Sequence, residues 1–171
     1  HIENLVESGV DAVFYPCLSY NVDEGASANH YNCPVVAYYS ELLKGNSKSL
    51  EKVRFMYPYL NINEPRELKK ELYKYFADYG IKRSEISQAV DFGFRQYGEH
   101  MDKIRKEGER ALSYARENGK KIMILAGRPY HADPEIGHGI DKLATSLGFV
   151  VVSEDSICHL AEKQEVRVLN Q

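Results

Sequence analysis

The apolar positions of this 171-residue chain change their spacing twice, dividing it into three sections. At the start, Ile2, Leu5 and Val6 share a helical spacing that stops at Gly9. Ala12 to Tyr15 reads as a short strand closed by Pro16-Cys17. A polar stretch from Ser19 to Asn32 then leads to Cys33-Pro34 and a second expected strand, Val35 to Tyr39. Ser40 is placed to cap a short helix ending at Gly45, and Val53 to Tyr57 makes a third strand.

The middle section is helical. Asn63 and Pro65 mark a start, Leu68, Leu72, Phe76 and Tyr79 form one stripe, and Gly80 ends it. Ser84 caps a much longer helix running to Asn118-Gly119. Its apolar positions Val90, Phe94, Tyr97, Met101, Ile104, Ala111 and Ala115 alternate steps of four and three, with Gly108 in the same seam. A coiled-coil dimer and a long helix packed across its own domains both satisfy that face; the second is the reading taken.

The third section begins a fresh β-α-β unit. Five consecutive apolar residues, Ile122 to Ala126, read as a strand buried on both faces, as in parallel sheets. Asp133 as cap and Pro134 at the first helical position start a helix carrying Ile140, Leu143, Ala144 and Leu147, which Gly148 ends. Phe149 to Val152 is the next parallel strand, and Asp155-Ser156 caps a further helix bearing Cys158 and His159. The fold class is therefore α/β. Two Rossmann/flavodoxin-like parallel-sheet pieces are expected: residues 1–60 close a first α/β domain and residues 120–171 open a second. A helical connector with one long helix, residues 61–119, joins them. Because His1 opens inside a helix, the chain reads as part of something longer.

Composition narrows the function classes. A net charge of −3 argues against nucleic acid as the main partner, since backbone phosphates require a basic face. No apolar run approaches the ~18 residues of a membrane span. Three irregularly spaced cysteines, Cys17, Cys33 and Cys158, do not form a disulfide framework, so a cytoplasmic setting is expected. Thirteen tyrosines and no tryptophan suggest no chemistry by themselves.

The loop Gly127-Arg128-Pro129-Tyr130-His131 follows the expected strand at its carboxyl end, where open α/β sheets bind ligands. Arg128 can donate two hydrogen bonds to a phosphate or carboxylate, and a helix amino terminus nearby would add backbone N–H groups. An arginine bridging two loops is the plainer alternative. His131 and His138 flank the helix start, but two helical turns, ~10 Å, would keep them from sharing one ion. Asp133 and Glu135 suit first-turn acids that complement the helix dipole. Cys17 ends a strand, and Cys33 precedes Pro34 in a pattern common among iron-ligating thiolates. Two buried apolar thiols are the other reading. If both neighbouring strands are parallel, shared ligation requires the Ser19–Asn32 stretch to fold back, or a locally antiparallel pair. Cys158 is assigned to packing.

The segments HIENLVESGVDAVFYPC, NHYNCPVVAYYSELLK and LAGRPYHADPEIGHGI followed by SEDSI resemble the 2-hydroxyacyl-CoA dehydratase activase-related proteins, also described as CoA-substrate-specific enzyme activases. The resemblance spans nearly the whole chain and is least specific in the helical middle. It implies a bacterial protein in which an ATP-binding activase region, absent from this chain, is joined to segments similar to the cluster-bearing dehydratase subunits. It implies that Cys17 and Cys33 match cysteines able to ligate a 4Fe-4S cluster, with a further cysteine expected upstream of His1. In the related dehydratases that cluster passes one electron to an acyl-CoA thioester. The implied partners are acyl-CoA or another phosphate-bearing small molecule and the dehydratase or activase regions of the parent protein. Arg128, Tyr130, His131 and His138 then become candidates for holding a CoA phosphate or acyl group. Two other readings stay open: a non-catalytic α/β scaffold without a cluster, and a phosphate-ester binding domain using the Gly127–His131 loop alone.

Overall fold

A computed structural model describes residues 1–23, 30–127, 129–133 and 135–162. The chain opens with α1 (Ile2–Glu7), β1 (Ala12–Phe14) and β2 (Cys17–Tyr20), followed by α2 (Pro34–Asn46), β3 (Arg54–Met56) and β4 (Tyr59–Asn61). Two helices come next, α3 (Pro65–Phe76) and α4 (Arg83–Glu117). The last part holds β5 (Ile122–Leu125), α5 (Ile140–Ser146), β6 (Val150–Ser153) and α6 (Glu154–Ile157). The fold is α/β with short parallel ladders. No helix among the described residues is long and apolar enough to cross a membrane.

The chain forms two compact units, with the division at Asp91 and Phe92 falling inside α4. In the first unit, β1 pairs in parallel with β3 from Ala12–Arg54 to Phe14–Met56. β2 pairs in parallel with β4, placing Cys17 beside Tyr59 and Leu18 beside Leu60. The same offset runs through both ladders, so Pro16 and Pro58 stand level. Neither proline has an N–H to contribute, which interrupts both strands at one place. The ladder resumes across the gap: the Tyr15 N–H donates to the Met56 carbonyl at 2.8 Å, and the Cys17 N–H to that of Pro58 at 2.8 Å. These four pieces are thus two parallel strands broken at matching X-Pro steps. Val13, Cys17, Ala37, Leu50, Met56, Leu60 and Leu68 form the core around them.

The expected strand Val35 to Tyr39 is not one; it is the first half of α2. β-branched and aromatic residues favour strands locally, but Pro34 at the first helical position pre-sets the helical backbone. The buried positions are Ala37 and Ser40, three apart, and these small side chains let α2 lie close against β2. Packing overrides propensity here. Ser40 accordingly sits inside α2, wholly buried, rather than capping a helix.

The connector helices follow the expected stripes. α3 ends through a 3₁₀ turn, Ala77–Tyr79, at Gly80 with φ 72°. Along α4, Val90, Gly108 and Ala115 are buried, and Phe94, Met101, Ile104 and Ala111 are partly covered, while Tyr97 remains exposed. Within the first unit, Lys69 of α3 pairs with Asp91 of α4 at 2.5 Å.

In the second unit, β5 and β6 pair in parallel, from Ile122–Val150 to Leu125–Ser153. β5 is not buried on both faces as its run of apolar residues suggested: Ile122, Met123 and Ile124 are all exposed. Within the described residues it has one strand neighbour, and α5 packs against β6. The helix expected from Pro134 begins at Ile140, because His138 and Gly139 both adopt left-handed backbone, with φ 51° and 71°. α6 starts at Glu154 with Ser153 as its cap residue, and Ser156 lies within it, donating to the Ser153 carbonyl at 2.7 Å.

Candidate functional site

Two places hold the residues singled out in the sequence, one in each unit. In the first unit the described ends of the Ser19–Asn32 stretch lie side by side. Tyr20 and Tyr31 form an antiparallel bridge, and the Asn32 N–H donates to the Ser19 carbonyl at 3.0 Å. The Asn32 side-chain amide donates to the Leu18 carbonyl at 2.9 Å. This return brings Cys33 alongside the strand that Cys17 opens, and Cys33 is the residue immediately before α2, its carbonyl accepting from the Ala37 N–H.

Cys17 is fully buried, and its thiol shares a 2.9 Å hydrogen bond with the Ser40 hydroxyl. Around this pair lies a group of phenols that the sequence had not singled out. Tyr59, the ladder neighbour of Cys17, donates its hydroxyl to the Glu41 carboxylate, and its ring stands 6.1 Å from that of Tyr38. The bond to Glu41, then partial desolvation, then the carboxylate charge, hold the Tyr59 phenol well above its ordinary range. Tyr20 donates to the Tyr31 hydroxyl at 2.7 Å with ring centroids 4.5 Å apart, and that bond raises the Tyr20 phenol as well. The four-residue spacing of Glu41 after Ala37 is the sequence signal for this neighbourhood.

A 4Fe-4S cluster takes four ligands, usually thiolates. The described residues do not fit one as they stand. No group of three or more His, Cys, Asp or Glu among them is placed to hold a metal ion. The Cys17 thiol is engaged at Ser40, two turns or ~10 Å along α2 from the Cys33 position. To ligate iron, Cys17 would first have to leave Ser40.

In the second unit, β5 delivers the chain to a 3₁₀ turn, Pro129–Ala132, at the carboxyl end of a parallel strand. Arg128 lies outside the described residues. Tyr130 is exposed and His131 contributes its backbone to the turn. The Asp133 carboxylate accepts from the N–H groups of Glu135 at 2.8 Å and Ile136 at 3.1 Å, so it caps a turn here and not the helix proper. His138 is exposed and is the non-glycine residue with positive φ among those described. A left-handed conformation costs such a residue roughly 1–2 kcal/mol, and strain of this kind gathers at ligand sites. Residues 135–139 are turns and not helix, so no two-turn helical separation lies between His131 and His138. Cys158 is exposed rather than packed, its thiol 3.8 Å from the Asp155 carbonyl.

A family model described as the CoA enzyme activase uncharacterised domain matches residues 1–157. No curated protein and no solved structure matches the chain.

Proposed function

Because the chain belongs to the CoA enzyme activase uncharacterised domain family, we propose that it is a CoA-handling module that binds the phosphate-bearing part of a CoA thioester and breaks no bond by itself. The binding element is the loop from Gly127 to Gly139. Arg128 would offer the planar pair of donors that a phosphate accepts, and Tyr130, His131 and His138 are the candidates for further donors. The observation that carries this reading is the exposed His138 held in left-handed backbone beyond the carboxyl end of parallel β5. Non-glycine residues adopt this backbone uncommonly, although histidine does so more than most, and its conformational cost is of the kind found at ligand sites. Ligand binding at the carboxyl ends of parallel strands is the general habit of α/β folds. Cluster ligation by Cys17 and Cys33, with an electron passed to the thioester, would need further ligands beyond these two thiols.

Calorimetric titration with CoA, dephospho-CoA and pantetheine tests the reading. Removing a charge-assisted pair costs ~1.5–3 kcal/mol, so Arg128→Ala should weaken CoA binding roughly ten- to hundredfold. His138→Gly should raise unfolding stability by about 1 kcal/mol while weakening CoA binding, since it removes strain and imidazole together. Equal binding of pantetheine and CoA, or unchanged affinity in Arg128→Ala, would remove the phosphate from the proposal.

A further inference from the structure

β5 leaves one edge open. The Lys121 carbonyl accepts from the Val150 N–H at 2.9 Å, so β5 turns the backbone groups of its odd-numbered residues toward β6. That direction alternates along a strand, and Ile122 and Ile124 therefore hold their N–H and C=O groups out from the sheet. β6 is the one strand paired with β5 among the described residues. An edge of this kind is a template for another strand.

α5 overhangs the same edge. It packs on β6, with Ala144 as its buried residue. Around the helix, Ile140, Leu143 and Leu147 all lie within about 100° on one side of Ala144. In a right-handed crossover from β5 to β6, that side is the one toward β5. Strand edge and helix flank thus make one apolar surface, on which Ile122, Met123, Ile124, Ile140, Leu143 and Leu147 are 36% to 69% exposed.

Symmetry decides what covers it. A two-fold axis through Met123, perpendicular to the sheet, sets β5 antiparallel to its copy with Ile122 opposite the copy's Ile124. The outward-facing residues then exchange N–H···O=C bonds in both directions. The same axis keeps α5 and its copy on one face of the joined sheet, so their apolar flanks face each other. Lys121 falls opposite the copy's Leu125 and Lys120 opposite its Ala126, so no like charges meet. The six exposed residues present roughly 550 Å², and two copies bury about 1,100 Å², past the ~1,000 Å² that a specific interface needs.

We propose that the second unit binds a second copy of itself through β5, joining the two ladders into one sheet in the order β6-β5-β5-β6 with both α5 flanks packed on one face. This surface lies apart from the Gly127–Gly139 loop and does not rest on the CoA reading.

Sedimentation velocity of the full chain tests it, and at about 100 μM the chain should run as a dimer. Ile124→Pro removes an outward N–H that the β5–β6 ladder does not use, and should give a monomer with an unchanged far-UV circular dichroism spectrum. Leu147→Glu, on the helix flank, should give a monomer too. Leu42→Glu, similarly exposed but in α2 of the first unit, should leave the dimer intact. Met123 meets its own copy at the axis with ~4.5 Å between Cα atoms, so Met123→Cys in a Cys158→Ser background should form a disulfide-linked dimer on mild oxidation. Ile122→Cys, opposite Ile124, should not. A monomeric chain at that concentration overturns the proposal. So does a dimer that survives both Ile124→Pro and Leu147→Glu, one that Leu42→Glu dissolves equally, or one that Met123→Cys fails to cross-link.

Discussion

Replacing Gly108 by alanine sets two effects of known sign against each other. In a helix interior alanine is favoured over glycine by about 1 kcal/mol, so the change should stabilise α4 if nothing stood nearby. A Cβ on Gly108 would, however, lie 2.2 Å from the Ser156 carbonyl oxygen, 2.7 Å from its carbonyl carbon and 2.8 Å from its Cβ. Ordinary contact begins near 3.4 Å, so backbone must move by more than an ångström. Overpacking of this kind costs ~1–3 kcal/mol. Moving Ser156 also strains its 2.7 Å bond to the Ser153 carbonyl, worth about 1 kcal/mol. The clash wins, and Gly108→Ala should destabilise the protein by about 1–2 kcal/mol. Gly98 provides the control, since it lies in the same helix with nothing within 4 Å of an added Cβ. Gly98→Ala should therefore stabilise by up to ~1 kcal/mol. Urea denaturation followed by far-UV circular dichroism measures both variants. Should Gly108→Ala gain stability as Gly98→Ala does, the close approach of α4 and α6 is wrong.

Two further outcomes concern the first unit. The Tyr59 phenol is raised above its usual value, so it stays protonated in the folded protein where an unfolded phenol ionises. Its bond to Glu41 thus adds stability below pH ~10, and that contribution fades as pH rises through the higher folded value. In an absorbance titration of tyrosinate, Glu41→Gln should bring one phenol back to lower pH, and Tyr59→Phe should delete that same late step; no change in either would refute the bond. Thiol labelling under native conditions should run Cys158 first, Cys33 next and Cys17 last, following their exposure. Early modification of Cys17 would show that the Ser40 contact does not hold in solution, whereas Ser40→Ala should accelerate it.

The connector was the most legible part of the chain. The four-three spacing from Val90 to Ala115 and the stop at Gly80 depend on local periodicity and backbone freedom, and both were found in place. The strands at Ala12 and Arg54 were legible for the same reason, although β2 and β4, beyond the matching prolines, were not read at all. Periodicity failed at Val35–Tyr39, where β-branched and aromatic residues face outward from a helix whose buried side is made of small residues. It also failed at Ile122–Leu125, where an apolar run promised covered faces that the described residues do not supply.

What the sequence alone determined was which residues can break, cap or propagate an element, because those choices are local and each costs about 1 kcal/mol or more. It also placed an arginine- and histidine-bearing loop at the end of a parallel strand. Only the tertiary structure decided which side chains meet. Cys17 finds Ser40 because α2 lies close on β2, and Tyr59 finds Glu41 because β4 pairs beside Cys17. Such meetings depend on distances between segments far apart in the chain, and no spacing within one segment encodes them.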